Sequence, residues 1–428
     1  MDSTPVTQLN GPISLYITKY NETVFYLFGD VHKSRSKGCK SVCDELINSQ
    51  NLSSKGRDCM NIDAAIHTWL LYNNARGIKT NFFFETPRIA RKSLIKIQTV
   101  DDKEGWLDYI DEMAAPCFEN KETCPYGKNV HLHYVDSRKA VVYGEIQFVD
   151  LFSWISLMSR NFVETLSTIE LGNYIQLLAL LFKKTQVGNE TIYPNINLLF
   201  DANFKAGDFE GFQKLQKEIL DSQLGEIGNA AVNILANTIN HARTKNKREW
   251  TEKGLVKQVY MHKSAWQLLK LYRKNNILGK ALYAFANKLV QDFKQNLKGI
   301  VNTLIIANNL SKFDSDLEWA PMVTDKLGNV AANIGTIIMD VYTIARMLLV
   351  DSQENIVFAG DFHIESYKMF FEQYLQIQPT FQHLAYIPER GNDGRYTQLF
   401  FTRCIQDPDL AKYLDLDKMR RYMIKFQY

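Results

Sequence analysis

Absences narrow the field first. A strong charge of one sign is missing: 50 basic against 47 acidic residues in a chain of 428 leave a net charge of only +3. Proteins that live on phosphate backbones carry a basic excess, so no nucleic-acid partner is expected. Long apolar runs are missing as well. The two most apolar stretches, Tyr174 to Phe182 and Ile334 to Val350, are too short for a bilayer or carry Asp340 and Arg346, so no membrane span is expected. The opening residues MDSTPVTQLNGPISLY hold no basic leader followed by an apolar run, which predicts a soluble, intracellular protein of the cytoplasm.

Cysteine is sparse. Six, at positions 39, 43, 59, 117, 124 and 404, are too thinly spread for a disulfide-stapled secreted module, and free thiols are the expectation. Cys39 and Cys43 stand four apart, yet no second close pair at metal spacing completes a structural zinc site. The sequons at Asn21, Asn51, Asn189 and Asn309 carry little weight without a secretory route.

What is present is a large apolar fraction, 46%, enough for one enlarged domain or two. Ser14 to Tyr20 reads as a strand, Asn21-Glu22 as a turn, and Val24 to Gly29 as a second strand, a hairpin leading into a buried strand. Asn61 to Asn74 has apolar residues at helical spacing. Asn81 to Glu85 (NFFFE) is a continuous apolar run of the kind covered on both faces, and His131 to Arg138 is the next. After about Tyr143 no comparable strand run follows for a long stretch. Phe148–Ser159, Leu171–Lys184, Asp208–Leu220, Gly225–Arg243, Ser264–Lys274 and Leu278–Leu297 all carry apolar residues three and four apart. The basic run from Arg243 to Glu249 within this block reads as a solvated helix end or loop. A strand returns at Asn355 to Gly360, followed by a helix over Ser366–Leu375 and a closing hairpin of Phe381–Pro388 and Tyr396–Arg403 around Gly391–Gly394.

These patterns predict an α/β fold: a mostly parallel central sheet flanked by helices, with a large all-helical insertion between the third core strand and the last motif-bearing strand. The expected divisions are residues 1–143 and 340–428 for the α/β core and 144–339 for the helical subdomain. Strand order and oligomeric state are not legible.

Chemistry concentrates where the candidate strands end, the edge at which open α/β sheets bind ligands. Val24–Gly29 runs into Asp30 and His32, Asn81–Phe84 into Glu85, His131–Val135 into Asp136 and Arg138, and Ile356–Gly360 into Asp361 and His363. Two Gly-Asp-x-His motifs, Gly29 to His32 and Gly360 to His363, therefore stand after strands as halves of one site. Each glycine is expected to turn the backbone sharply and keep bulk away from the pocket. Two imidazoles and the Glu85 carboxylate leave coordination positions open on a divalent Mn, Co or Zn ion, which would acidify a bound water for hydrolysis. Arg138 is placed to stabilise an oxyanion or clamp a carboxylate. Asp30, Asp136 and Asp361 are second ligands or outer acceptors that fix a histidine tautomer. The bland alternatives are that Glu85 caps a helix starting at Thr86-Pro87 and that Arg138 pairs with Asp136. His131 and His133 share a strand face, where packing is favoured over a metal pair. His67, His241, His262 and His383 have no suggestive neighbours.

Leu27 to Ser34 (LFGDVHKS), Phe82 to Arg91 (FFFETPRIAR), Val135 to Arg138 (VDSR) and Phe358 to Tyr367 (FAGDFHIESY) together give a chain that resembles the superfamily of TraB/Tiki proteins, erythromycin-esterase-like enzymes and ChaN-like haem-binding proteins, whose core carries paired Gly-x-x-His motifs. The resemblance implies a metal-dependent hydrolase acting on a peptide or small ester, with His32, Glu85 and His363 in the central roles. It also implies two alternatives, a non-catalytic haem- or ligand-binding protein and a toxin-like interaction domain working through its helical insertion. The run from Asp340 to His363 resembles copies of this fold in large DNA viruses, which implies a place in host cytoplasm or virion.

Overall fold

The computed structural model describes residues 6–31, 43–44, 59–85, 106–119, 124–135, 185–187, 190–192, 210–244, most of 267–292, most of 336–385, 389–390, 396–397 and 404–426, with a few helical positions between 173 and 180. The chain divides into two compact units, Met1–Asp136 with Val350–Tyr428, and Ser137–Leu349.

The first unit is built on a six-stranded sheet. Its strands are β2 (Ser14–Tyr20), β3 (Thr23–Asp30), β6 (Thr80–Phe84), β7 (Val130–Tyr134), β10 (Glu354–Gly360) and β11 (Phe381–Leu384); the strand numbers left out belong to shorter strands, β1 (Gln8–Asn10), β4 (Cys43–Asp44), β5 (Cys59–Asn61), β8 (Thr185–Val187) and β9 (Glu190–Ile192). The order across the sheet is β11-β2-β3-β10-β6-β7. β3, β10, β6 and β7 run parallel to one another, while β2 is antiparallel to both β3 and β11. The fold is thus α/β with a mixed, largely parallel sheet. Its hairpin turns at Asn21, whose φ of 52° is a left-handed conformation that asparagine tolerates.

Helix α1 (Ile62–Arg76) covers one face. It starts after Asn61, carries Asp63 in its first turn and Arg76 in its last, and stops at Gly77, whose left-handed φ of 72° favours glycine. Alternate strand residues Tyr26, Phe28, Phe82, Phe84, Ile356 and Phe358 meet Ile66, Trp69 and Leu70 of α1 in one core. The Trp69 indole stands edge-on to Tyr26 at 4.4 Å between ring centres. Each fully buried phenylalanine here contributes roughly 1.5–3 kcal/mol. Helix α2 (Trp106–Glu119) adds Trp106 and Ile110 to the same core.

A smaller sheet, in the order β14-β1-β5-β4 with β14 at Cys404–Gln406, lies in the same unit. The expected closing hairpin is corrected: Phe381–Leu384 pairs with β2 as β11, and a short hairpin joins β12 (Glu389–Arg390) to β13 (Tyr396–Thr397), with Gly391–Gly394 outside the described residues. The closing segment, which the sequence reads only as an amphipathic tail, forms helix α7 (Leu416–Phe426) after a single turn α6 (Leu410–Tyr413), and Tyr422 packs edge-on to Tyr72 of α1 at 5.1 Å.

In the second unit, α3 (Glu210–Asp221) and α4 (Gly225–Thr244) pack together through Leu215, Ile219, Ile227, Ala231 and Leu235. The unit is not all-helical: β8 and β9 pair antiparallel within it. The two-residue Gly188-Asn189 connection between β-branched segments is a hairpin signal, masked by the helical periodicity of the apolar residues just before it.

The thiol expectation also fails. Cys117 and Cys124 form a disulfide, Cys59 and Cys404 are disulfide-bonded too, and no described cysteine is free. Low density over the whole chain concealed that the six cysteines are confined to the α/β unit, where local density is higher. No helix among the described residues is long and apolar enough to cross a membrane.

Candidate metal centre

The parallel register brings the ends of three strands level. Gly360 lies opposite Asp30, Ala359 opposite Gly29, and Phe358 opposite Phe84. One residue beyond β6, the Glu85 amide donates to the Phe358 carbonyl at 3.1 Å, so Glu85 comes off the sheet beside the start of the next helix.

That helix, α5 (Asp361–Met369), begins without a loop, directly after Gly360. The expectation that His363 hangs on a turn and that the helix waits until Ser366 is therefore corrected: His363 lies in the first helical turn. The reason is local. The Gly360 N–H, which would otherwise be orphaned at the helix start, donates to Glu85 Oε2 at 2.7 Å, and the acids Glu85 and Asp361 sit at the positive end of the helix dipole. The helix continues through a π-turn at Phe370–Tyr374, a feature common beside functional sites.

The second Glu85 oxygen, Oε1, stands 3.4 Å from His363 Nε2, with the side chains only 2% and 5% exposed. This is longer than a strong charge-assisted hydrogen bond of about 2.7–2.9 Å. Two ligands bound about 2.0–2.1 Å from a tetrahedral ion stand roughly 3.3–3.4 Å apart. A carboxylate oxygen and an imidazole nitrogen, both buried, are donor types that divalent first-row ions take. Among the described residues no group of three such donors gathers. His32, Asp136 and Arg138 lie outside the described residues.

Asp30 is buried at the end of β3. Asp361 is buried too, and its Oδ1 accepts the Ser14 hydroxyl from β2. One turn further along α5, Glu365 Oε1 accepts the Tyr16 hydroxyl. Burial pushes the Glu365 carboxyl up from its ordinary range, against the opposing effects of the Tyr16 hydrogen bond and Lys368; Asp361 and Glu372 push it further up. Lys368 Nζ lies 4.7 Å over the Tyr16 ring and 3.9 Å from Glu365.

The glycines differ from expectation. Gly29 is no turn, since β3 runs through it to Asp30; a Cβ there would collide with both Ser14 Oγ and Asp361 Oδ1. Its absent side chain is what lets α5 lie on the strand. Gly360 has φ −54° and ψ 140°, open to any residue, so its conformation does not require glycine.

Of the other histidines, His133 bonds Asn81 at 2.9 Å and stacks on Phe83, His67 bonds Tyr126 at 2.9 Å, His383 pairs with Asp407 at 3.3 Å and His131 is exposed, while His262 and the His241 side chain lie outside what is described. Sequence reasoning missed Ser14, Tyr16 and Glu365. The available signal was a period of two in β2 and of four in α5, meaningful only once β2 is known to border β3. Comparison with protein-family models, with curated proteins and with solved structures finds no match to this chain.

Proposed function

We propose that this chain is a metal-dependent hydrolase of a peptide or small ester, with a divalent Mn, Co or Zn ion held by Glu85 and His363 and the coordination completed by His32. The observation that carries the reading is the buried pair of Glu85 Oε1 and His363 Nε2, 3.4 Å apart at the carboxyl edge of parallel strands. Such an ion, when bound, supplies a Lewis acid and a water acidified toward neutrality.

The chain's own groups do the rest. Glu85 is fixed through Gly360, so it offers its other oxygen with little conformational entropy left to lose on binding. Arg138, permanently charged, meets the negative charge that develops on a carbonyl oxygen. Asp30 and Asp136 serve as outer acceptors that set imidazole tautomers. The burial of His363, 4% exposed, favours a small ion over a planar haem, whose axial imidazole must reach a large open face. We place the chain inside the cell, and for a viral chain in host cytoplasm or virion; the disulfide-bonded cysteines favour a compartment more oxidising than the cytosol, where thiols are kept reduced.

The test is metal content by mass spectrometry of the purified protein and of His32→Ala, Glu85→Ala and His363→Ala. One ion per chain in the wild type and its loss in the variants is expected; metal content unchanged in His32→Ala and His363→Ala overturns the reading.

A further inference from the structure

The candidate centre uses His363 and Glu85, and α5 also makes polar contacts with β2. Ser14 and Tyr16 are alternate residues of β2 and so share one of its faces. Asp361 and Glu365 are four apart on α5 and share one side of the helix. Ser14 donates to Asp361 and Tyr16 donates to Glu365. Two strand residues advance about 6.8 Å and four helical residues about 6 Å, so both bonds form together when the helix runs alongside the strand. The pairing of Ser14 with Asp361 and Tyr16 with Glu365 gives α5 the direction of β2, antiparallel to β10 from which it emerges.

Three further features fix the same helix. Lys368 lies over the Tyr16 ring and within 4.0 Å of Glu372. Gly29, opposite Ser14 in the hairpin, leaves no room for a side chain beneath Asp361. On the face of β3 that Gly29 shares, Phe25 meets Phe371 just past the helix, at 4.9 Å between ring centres. Helix rotation and height are thereby set from outside the centre, and His363, two residues after Asp361, inherits its direction from them.

We infer that Ser14 and Tyr16 are positioning residues for the metal centre: through Asp361 and Glu365 they hold α5 in the one rotation that turns His363 Nε2 toward Glu85. The inference rests on the metal-binding reading above. Neither hydroxyl touches the ion or the reacting atoms; each acts through the helix. Outer groups that orient a ligand typically change metal affinity 10–100-fold when removed.

The test is Co²⁺ titration of the full chain, followed by the visible d–d absorption bands, alongside thermal melting. Tyr16→Phe and Ser14→Ala are expected to weaken Co²⁺ binding about tenfold and to shift the bands. Glu365→Gln keeps an acceptor for the Tyr16 hydroxyl and is expected to bind within about threefold of wild type, whereas Glu365→Leu is expected to match Tyr16→Phe. Ile17→Val, on the opposite, core-facing side of β2, is expected to lower the melting temperature and leave the Co²⁺ bands and affinity unchanged. That contrast separates positioning from mere stability. Should Tyr16→Phe not fold, Ser14→Ala carries the same comparison. Wild-type affinity and bands in the folded hydroxyl variants, or equal losses in Ile17→Val, overturn the inference. A wild-type protein that binds no Co²⁺ instead overturns the metal reading on which it stands.

Discussion

Glu85 and His363 come from different strands' ends, and one carboxylate joins them: its Oε2 holds the Gly360 amide at 2.7 Å while its Oε1 faces His363 Nε2 at 3.4 Å. The same side chain therefore receives the amide at the start of a helix and, in the proposed metal centre, would offer a ligand, and the two roles are separable by substitution. Glu85→Ala leaves a buried amide without its acceptor, which costs about 1–3 kcal/mol. Glu85→Gln keeps a carbonyl oxygen for Gly360 but removes the negative charge. The expected outcome is that Ala lowers both stability in urea and metal content, while Gln loses metal with less than half the stability loss. Equal stability losses in the two variants would show that Gly360 does not depend on this acceptor.

Gly29→Ala tests how closely α5 is seated. The added methyl would lie 3.0 Å from the Asp361 Cα as well as against two side-chain oxygens, and backbone cannot move as cheaply as a flexible side-chain end. Overpacking of this kind costs about 1–3 kcal/mol. The urea midpoint should fall accordingly, with the slope unchanged. A midpoint equal to wild type would mean that α5 lifts freely off β3.

Much of this architecture is legible in the amino-acid sequence. The β2–β3 hairpin announces itself by two apolar runs around Asn21-Glu22, and β6 and β10 by short continuous apolar segments. Two of the site's four strand-end features, Glu85 and His363, are found together from type and position alone. What is hidden depends on partners remote in sequence. The three-residue strands β1 and β14 are too short to show a period, and they exist because they pair with each other across the chain's ends. The helical start at Asp361 depends on Glu85, 275 residues from Gly360. Ser14 and Tyr16 look like ordinary strand residues until α5 is laid over them. The roles of His32, Asp136 and Arg138 stand on sequence only, since all three lie outside the described residues.

The disulfides make a chemical prediction that reverses the free-thiol expectation. Alkylation of the denatured protein under non-reducing conditions should leave Cys59, Cys117, Cys124 and Cys404 unmodified, and reduction should expose them. Peptide mass spectrometry reads the outcome site by site. Loss of a native bridge typically costs about 2–5 kcal/mol, so reductant should also lower the melting temperature. Full labelling before reduction would return the cysteines to the thiol state and remove the argument for an oxidising environment.

At the far end of β10 from the candidate centre, Glu354 offers a pH signature independent of any metal. Its Oε2 accepts the Trp69 indole N–H at 2.9 Å and the Asn73 amide at 2.6 Å. Burial pushes its carboxyl above the ordinary value of 4.5, and the two hydrogen bonds only partly oppose that. The folded state therefore holds this proton more tightly than the unfolded chain does. The resulting stability is fully present below the ordinary carboxylate range and is lost as pH rises through the raised folded value. Glu354→Gln keeps an oxygen for both donors and removes the titration. Its stability relative to wild type should accordingly improve as pH rises from about 4 to 8, measured by urea unfolding at each pH. Parallel stability curves for the two proteins would mean that Glu354 ionises at the same pH folded and unfolded, and that water, not Trp69 and Asn73, sets its environment.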